Sequence, residues 1–247
     1  AIVAASHVQS GVFKRVLTVT FEKQSESNAM WALSNPQPFS PHLNAGAGGY
    51  FAPIIREYIR RSNAPSDAGI KVAVKDRIHA LKNPLAHLQL PDISAEMVEA
   101  SPMLWDPLRF LESCPSSDGA CAMVITAQDK VGSRNVAWIK GMAVRSEGTL
   151  SAGRDEVNPQ AGIDCAKDIY NQAGIHNPFN EIDCAEIYVP FSWYEPMWLE
   201  NLGFCDLGEG WKLTDKDATA IDGELPFNMS GGVLSSNPIG ASGMIRF

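Results

Sequence analysis

A chain of 247 residues, 45% apolar and 19% charged, is long enough to bury a core in one large domain or two lobes, and its composition excludes a disordered, collagen-like or coiled-coil polypeptide. Twenty Lys and Arg against 28 Asp and Glu leave a net charge of −8, so no global positive field is present to hold a phosphate backbone, and no nucleic-acid partner is expected. The longest wholly apolar run, Ala120 to Ile125, is far short of the ~20 residues that span a bilayer, and the chain reads as cytoplasmic without a membrane span.

The elements follow in order. Ala1 to Ser6 is helix-like, and Arg15 to Glu22 is rich in β-branched and aromatic residues, which predicts a buried strand. Ser25 to Gly49 is aperiodic and polar, hence loop. Helices are expected over Ala52 to Arg61, over Ile70 to Leu81 with Ile70, Val74, Ile78 and Leu81 on one apolar face, and over Ala95 to Ala100 with Ser94 as N-cap. Strands are expected at Gly119 to Ala127 and Asn135 to Val144, separated by a polar turn at Asp129 to Arg134 that marks a lobe boundary. A helix within Asp155 to Ala173 ends at Gly174, and a strand covers Ile182 to Val189. Ser192-Trp-Tyr-Glu195 reads as a capping box that starts a helix at Trp193, ending before Gly203. The last unit is a strand at Glu224 to Asn228, a turn at Met229 to Gly232, and a helix from Ile239. Strands alternating with helices argue for a layered α/β fold. The helix-like first residues and the helix just begun at Gly243 to Phe247 read as the ends of an internal segment of a longer polypeptide.

Chemistry in such folds collects beyond the carboxyl ends of strands. Tyr188 lies near the end of its expected strand, where its phenol could face a crevice or be a satisfied core tyrosine. Asn228-Met-Ser-Gly-Gly232, followed by Ser235-Ser-Asn-Pro-Ile-Gly-Ala-Ser-Gly243, has more glycine than a plain turn needs and could let backbone approach a ligand. It is not a phosphate-binding P-loop, and Gly46, Gly48 and Gly49 lack the dinucleotide spacing. Arg56, Arg60 and Arg61 could hold a small anion or form a solvated helix face. His7, His42, His79, His87 and His176 include no pair at metal-ligand spacing and read as lone surface residues, so no metal is expected. Cys114, Cys121, Cys165, Cys184 and Cys205 contain no Cys-x-x-Cys pair and read as reduced and structural.

Asn228-Met-Ser-Gly-Gly232 with Asn237-Pro-Ile-Gly-Ala-Ser-Gly243 resembles the C-terminal signature of thiolases. Asn83-Pro-Leu-Ala86, Ser101-Pro-Met with Asp106-Pro-Leu108, Ser117-Asp-Gly-Ala-Cys-Ala122 and Leu202-Gly-Phe with Gly208-Glu-Gly210 resemble, in order, segments of the sterol-carrier-protein type (SCP-x) thiolases. The wording around Tyr188 is similar to actinobacterial lipid-transfer thiolase-like proteins. This resemblance implies a thiolase-like layered α-β-α-β-α fold, incomplete at both ends. Residues 1–131 would end the N-terminal lobe, with a helical loop domain inserted at about 24–115, and 132–247 would form the C-terminal lobe. It implies acyl-CoA as substrate, coenzyme A entering only as a thioester and no further cofactor, a homodimer or dimer of dimers, and a small OB-fold partner protein.

The family's two catalytic cysteines would lie before Ala1 and beyond Phe247. Where SCP-x enzymes have His-Asp-Cys-Phe this sequence has Tyr188-Val-Pro-Phe191, and where they have Gly-His-Pro it has Ser236-Asn237-Pro238, one residue shorter. The resemblance therefore points to Tyr188 and Asn237 as catalytic, and to Asn228, Gly231, Gly232 and Gly243 as substrate-binding. The implied activity is that of an acetyl-CoA acetyltransferase type C-acyltransferase of lipid or sterol metabolism with altered active-site residues. The alternatives are a retro-aldol lyase acting on 3-hydroxyacyl-CoA, or a non-catalytic protein that binds acyl-CoA or lipid.

Overall fold

The structure, a computed structural model, describes residues 1–26, 46–148 and 153–247. In chain order these form α1 (Ile2–Gln9), β1 (Arg15–Lys23), α2 (Gly46–Ser62), α3 (Ala68–Ala80), α4 (Ala95–Ala100), β2 (Met103–Trp105), β3 (Leu108–Arg109), β4 (Asp118–Thr126), α5 (Gln160–Ala173), α6 (Pro178–Glu181), α7 (Tyr194–Asn201), α8 (Gly210–Asp215), α9 (Gly232–Ser235) and α10 (Ile239–Arg246).

β1 and β4 pair antiparallel from Arg15↔Thr126 to Lys23↔Asp118, so the whole length of each strand is matched. Because side chains alternate across a strand, the pairs Leu17↔Val124, Val19↔Ala122 and Phe21↔Ala120 fall on one face, and Val16↔Ile125, Thr18↔Met123 and Thr20↔Cys121 on the other. The second face is covered by α10: the Cys121 thiol donates to the Met244 carbonyl at 3.7 Å, and Gly240 N donates to Glu22 Oε2 at 3.1 Å. The first face leaves Leu17, Val19, Phe21 and Val124 exposed.

Residues between β1 and β4 supply α2, α3, α4 and the β2–β3 hairpin, and the core forms where these meet the last third of the chain. Ile55 and Tyr58 of α2 and Val72 of α3 pack with Trp193, Leu199, Phe227 and Leu234 in one cluster, none more than 1% exposed. Burying each such side chain contributes about 1.5–3 kcal/mol, so this cluster fixes α2 and α3 beneath the residues that precede α7 and α9.

Several expectations are corrected. Gln24–Glu26 is a short 3-10 turn and Gly46–Gly49 belongs to α2, while 27–45 of the expected loop lies outside the described residues. Asn135 to Val144 is not a strand: the N–H and carbonyl of Met142 are bonded by the Gln172 side chain at 3.1 and 2.9 Å, so a glutamine of α5 takes the place of a neighbouring strand. The expected strands at Ile182 to Val189 and Glu224 to Asn228 reduce to one parallel bridge, Ala185↔Phe227, beside which Asn228 Oδ1 accepts from Ile187 N at 2.9 Å. β-propensity needs a partner to become a ladder, and here side-chain amides satisfy the backbone instead.

The expected apolar face of α3 is also wrong. Ile78 and Leu81 are exposed, at 45% and 39%, whereas Asp76, Arg77 and His79 are buried. The capping box before α7 is absent: Trp193 is the N-cap, Ser192 Oγ lies 3.4 Å from Glu112 Oε1, and Glu195 is buried. Its Oε1 accepts from Thr214 at 3.1 Å and Thr219 at 3.0 Å, and Oε2 meets Lys75 Nζ at 3.0 Å. Buried charges are held only where partners exist, and Lys75, Asp76 and Glu195 supply each other with them. Elsewhere the expected α5 ends as read, with Gly174 in the left-handed region at φ 74.

Candidate active site

Three stretches far apart in sequence converge beside the Tyr188 phenol. The carbonyl of Tyr188 accepts from Trp198 Nε1 of α7 at 2.9 Å, which anchors the backbone before that helix. Next to it, Cys114 N donates to the Pro190 carbonyl at 2.9 Å, and Ser113 bridges Phe191, so the residues leading into β4 run alongside Tyr188-Val-Pro-Phe191. Asn237 arrives from the segment before α10 and is 2% exposed. Its N–H donates to Ser117 Oγ at 3.0 Å, its carbonyl accepts from Gln24 Nε2 at 2.7 Å, and Oδ1 accepts from the Ser242 hydroxyl at 2.8 Å. With Oδ1 so fixed, Nδ2 carries the outward-facing protons. It donates to Cys114 Sγ at 3.1 Å, and the Asn237 side chain lies near enough to the Tyr188 phenol to favour its ionised form.

Tyr188 and Asn237 therefore lie near one another, Tyr188 39% exposed and Asn237 buried. Burial pushes the phenol above its ordinary value and charge on Cys114 would push it further, while the Asn237 N–H pulls it back. Burial likewise pushes the Cys114 thiol up, eased by Asn237 and by the positive charge of Arg77. At neutral pH the crevice thus presents a phenol and a thiol, both protonated, around one carboxamide. Such a set can donate a proton and hold an oxyanion, and it becomes basic only when one of the two groups ionises.

Cys114 was legible only as a structural cysteine. Its one sequence signal is position, since Cys114-Pro115 ends the inserted segment just before β4. His79 is not a surface residue: it is 3% exposed, its Nδ1 lies 3.2 Å from the Asn228 carbonyl, and burial and the Lys75 charge hold its pKa at about 4. His87 approaches the site only at one remove, through Nδ1 at 2.8 Å from the Ser117 Oγ that accepts from Asn237 N.

The glycine-rich residues do something other than face the crevice. Asn228 is fully buried, and besides accepting from Ile187 its carboxamide donates to Asp76 Oδ2 at 3.3 Å. Gly231 has φ 88, and a Cβ there would lie 2.5 Å from Ala80 Cβ, so its lack of a side chain lets this turn touch α3. The N–H of Gly231 donates to Asn228 O at 2.9 Å and that of Gly232 to Ser230 Oγ at 3.3 Å, which leaves neither for an oxyanion. Gly243 lies on α10, with nothing within 4 Å of where a Cβ would sit. The arginine cluster is neutralised: Arg56 pairs with Asp106, Arg60 with Glu57 at 2.6 Å, and Arg61 with Glu57 and Asp155 at 2.8 and 2.7 Å. All five cysteines are free thiols. Among the described residues no group of His, Cys, Asp and Glu is placed to hold a metal ion, and no helix is long and apolar enough to cross a membrane.

Residues 143–247 match the family described as thiolase C-terminal domain-like. The solved structure named Ltp2-ChsH2(DUF35) aldolase superposes with a TM-score of 0.85 at 27% identity, over 98% of this chain and 65% of that one. Nearly the whole chain is similar to proteins of the thiolase superfamily. Its α/β fold is thiolase-like. Human "Sterol carrier protein 2" is 28% identical across 97% of the thiolase-like chain and 47% of its own length. The "17-hydroxy-3-oxo-4-pregnene-20-carboxyl-CoA lyase" of Mycobacterium tuberculosis is 31% identical across 78% of the chain and 52% of its own length. The chain thus spans about half the length of these curated relatives.

Proposed function

We propose that this thiolase-like chain carries the acid/base crevice of an enzyme that breaks the C2–C3 bond of a 3-hydroxyacyl-CoA by retro-aldol cleavage, within lipid or sterol metabolism. The observation that supports it is the Asn237 carboxamide, which donates to the Cys114 thiol and lies beside the Tyr188 phenol, with no imidazole bonded to either group among the described residues. Tyr188, once ionised, takes the proton of the 3-hydroxyl. The C2–C3 bond breaks, a carbonyl compound leaves, and the electron pair passes to C2 and the thioester oxygen as an enolate. Asn237 Nδ2 stabilises that enolate, and the proton held by Tyr188 returns to C2 to give the shortened acyl-CoA. Acid/base and oxyanion roles of this kind are each worth about two to four orders of magnitude.

An acetyltransferase-type acyl transfer is the second reading, favoured by the thiol in the crevice. It ranks lower because Asn237, standing where the motif has histidine, can donate a hydrogen bond but cannot take a proton to activate a thiol. The acyl-CoA substrate, a homodimer or dimer of dimers, and a small OB-fold partner belong to the same proposal. The related solved aldolase, whose name joins two proteins, supports a partner.

The test is Tyr188→Phe in the full-length protein, assayed for cleavage of 3-hydroxyacyl-CoA and for thiolysis of 3-ketoacyl-CoA. Loss of cleavage supports the proposal. Wild-type thiolysis without cleavage turns the reading to acyl transfer, and acyl-CoA binding with neither activity turns it to a binding protein.

A further inference from the structure

Asn237 is hydrogen-bonded at its N–H, its carbonyl, Oδ1 and Nδ2, and the bond to Oδ1 decides which end of the carboxamide meets Cys114. A carboxamide turned through half a circle exchanges an acceptor for two donors at the same place, so its orientation follows from the partners at its ends. The inner end meets Ser242, which lies on α10 and is fully buried. Ser242 Oγ is 2.8 Å from Asn237 Oδ1 and 3.0 Å from the carbonyl of Pro238, one helical turn back. A serine inside a helix ordinarily donates to that earlier carbonyl. Here the Pro238 carbonyl already accepts from the N–H groups of Ala241 and Ser242, both at 2.8 Å, which occupies its two lone pairs. The hydroxyl proton is therefore left for Oδ1, and Nδ2 turns to Cys114 Sγ at 3.1 Å. In the opposite orientation Nδ2 would donate to Ser242 Oγ, and the serine proton would face a carbonyl with no lone pair free. A buried donor left without an acceptor costs more than one hydrogen bond contributes, so that arrangement is disfavoured.

We infer that Ser242 is a positioning residue of the site, whose buried hydroxyl holds the Asn237 carboxamide with its donor end turned to Cys114, where an oxyanion can be met. The backbone that carries the carboxamide is fixed separately: Ser117 Oγ accepts from the Asn237 N–H at 3.0 Å, and Gln24 Nε2 donates to its carbonyl at 2.7 Å. Ser242 thus controls one torsion, the turn of the amide, and acts on the chemistry through Asn237. That the donor end serves an enolate rests on the retro-aldol reading, but the orientation itself can be read at Cys114 without turnover.

The experiment is a double-mutant cycle in the full-length protein, with Ser242→Ala, Asn237→Ala and the two combined. Ser242→Ala removes the donor to Oδ1 and leaves the Pro238 carbonyl its two N–H partners, so α10 keeps its first turn. With Oδ1 free to turn toward Sγ the Cys114 thiolate loses a donor, and its peptide-resolved alkylation by iodoacetamide at pH 8 should slow about 3–10-fold. The kcat for cleavage of 3-hydroxyacyl-CoA should fall about 5–20-fold at nearly constant KM. In the Asn237→Ala background Ser242→Ala should change neither rate, because the carboxamide it orients is gone. Ser242→Thr, which keeps the hydroxyl, should alkylate within about twofold of wild type, and it decides alone where Asn237→Ala does not fold. Alkylation unmoved by Ser242→Ala overturns the inference. So does a loss of equal size with and without the Asn237 side chain, or with Ser242→Thr, which is what a merely structural serine gives. Slowed alkylation that depends on Asn237, in a protein without cleavage activity, would refute the retro-aldol reading and leave the positioning role standing.

Discussion

The Lys75, Asp76 and Glu195 cluster gives the fold a pH dependence whose sign can be worked from its burial. Lys75 Nζ lies 2.6 Å from Asp76 and 3.0 Å from Glu195, and both carboxylates are fully buried, so one cation serves two anions. Desolvation is the main cause that raises Asp76, opposed by Lys75 and reinforced by Glu195, and the result lies at about 7. In the unfolded chain Asp76 releases its proton in the ordinary carboxylate range, but in the folded protein it keeps it until pH approaches 7. Between those limits the folded state binds the extra proton, so stability falls as pH rises, by about 1.4 kcal/mol per pH unit, and is level above about 7. Across the full window the loss is bounded at about 4 kcal/mol. Asp76→Asn removes the titrating carboxyl while leaving Lys75 its bond to Glu195. Urea unfolding of wild type and Asp76→Asn at pH 5 and pH 8 should show the variant gaining relative stability at pH 8 by about 1–3 kcal/mol. Lys75→Met, which strands two buried carboxylates, should cost about 3–5 kcal/mol. A wild-type stability as flat between pH 5 and 8 as that of Asp76→Asn would refute the burial argument.

Further outcomes follow from single contacts. Gly231→Ala combines a left-handed backbone with a Cβ 2.5 Å from Ala80, and should destabilise by about 2–4 kcal/mol, read as a lowered midpoint in urea. Asn237→Ala should lower kcat for cleavage about 10²–10³-fold while each lost hydrogen bond costs only about 1 kcal/mol of stability; a kcat that fell no further than the folded fraction would remove Asn237 from the chemistry. Because Tyr188 must ionise to act as base and burial holds it protonated, cleavage should rise with pH beyond neutrality in a kcat–pH profile, and an acid optimum would contradict its role.

The parts of the fold that could be read from sequence are those whose pattern is local. β1 and β4 carry their own alternation and pair over nine residues each, and α5 announces its end through Gly174. The misread parts are those where a distant group overrides the local pattern. α3 was assigned its apolar face from Ile70, Val74, Ile78 and Leu81, yet Glu195, Asn228 and the carbonyls of Leu111 and Ser113 draw Lys75, Asp76 and Arg77 inward. Gln172 and Asn228 pair with backbone that composition had assigned to ladders. In each case the polar group that decides is more than 25 residues from the group it satisfies, beyond any helical or strand period.

The crevice divides in the same way. Tyr188 and Asn237 were found because each stands where a thiolase motif changes, and a changed motif residue is visible one position at a time. Cys114 occupies no changed motif, and its meaning comes from the Asn237 carboxamide that reaches it across the fold. That contact depends on Ser242 holding Oδ1, on Ser117 holding the Asn237 N–H, and on Pro190 holding Cys114 N. A site whose motif histidine is replaced by Asn237 is therefore read from more than the replaced residues. What matters is which groups the replacement carboxamide now meets, and here they are the Cys114 thiol at 3.1 Å and the neighbouring Tyr188 phenol.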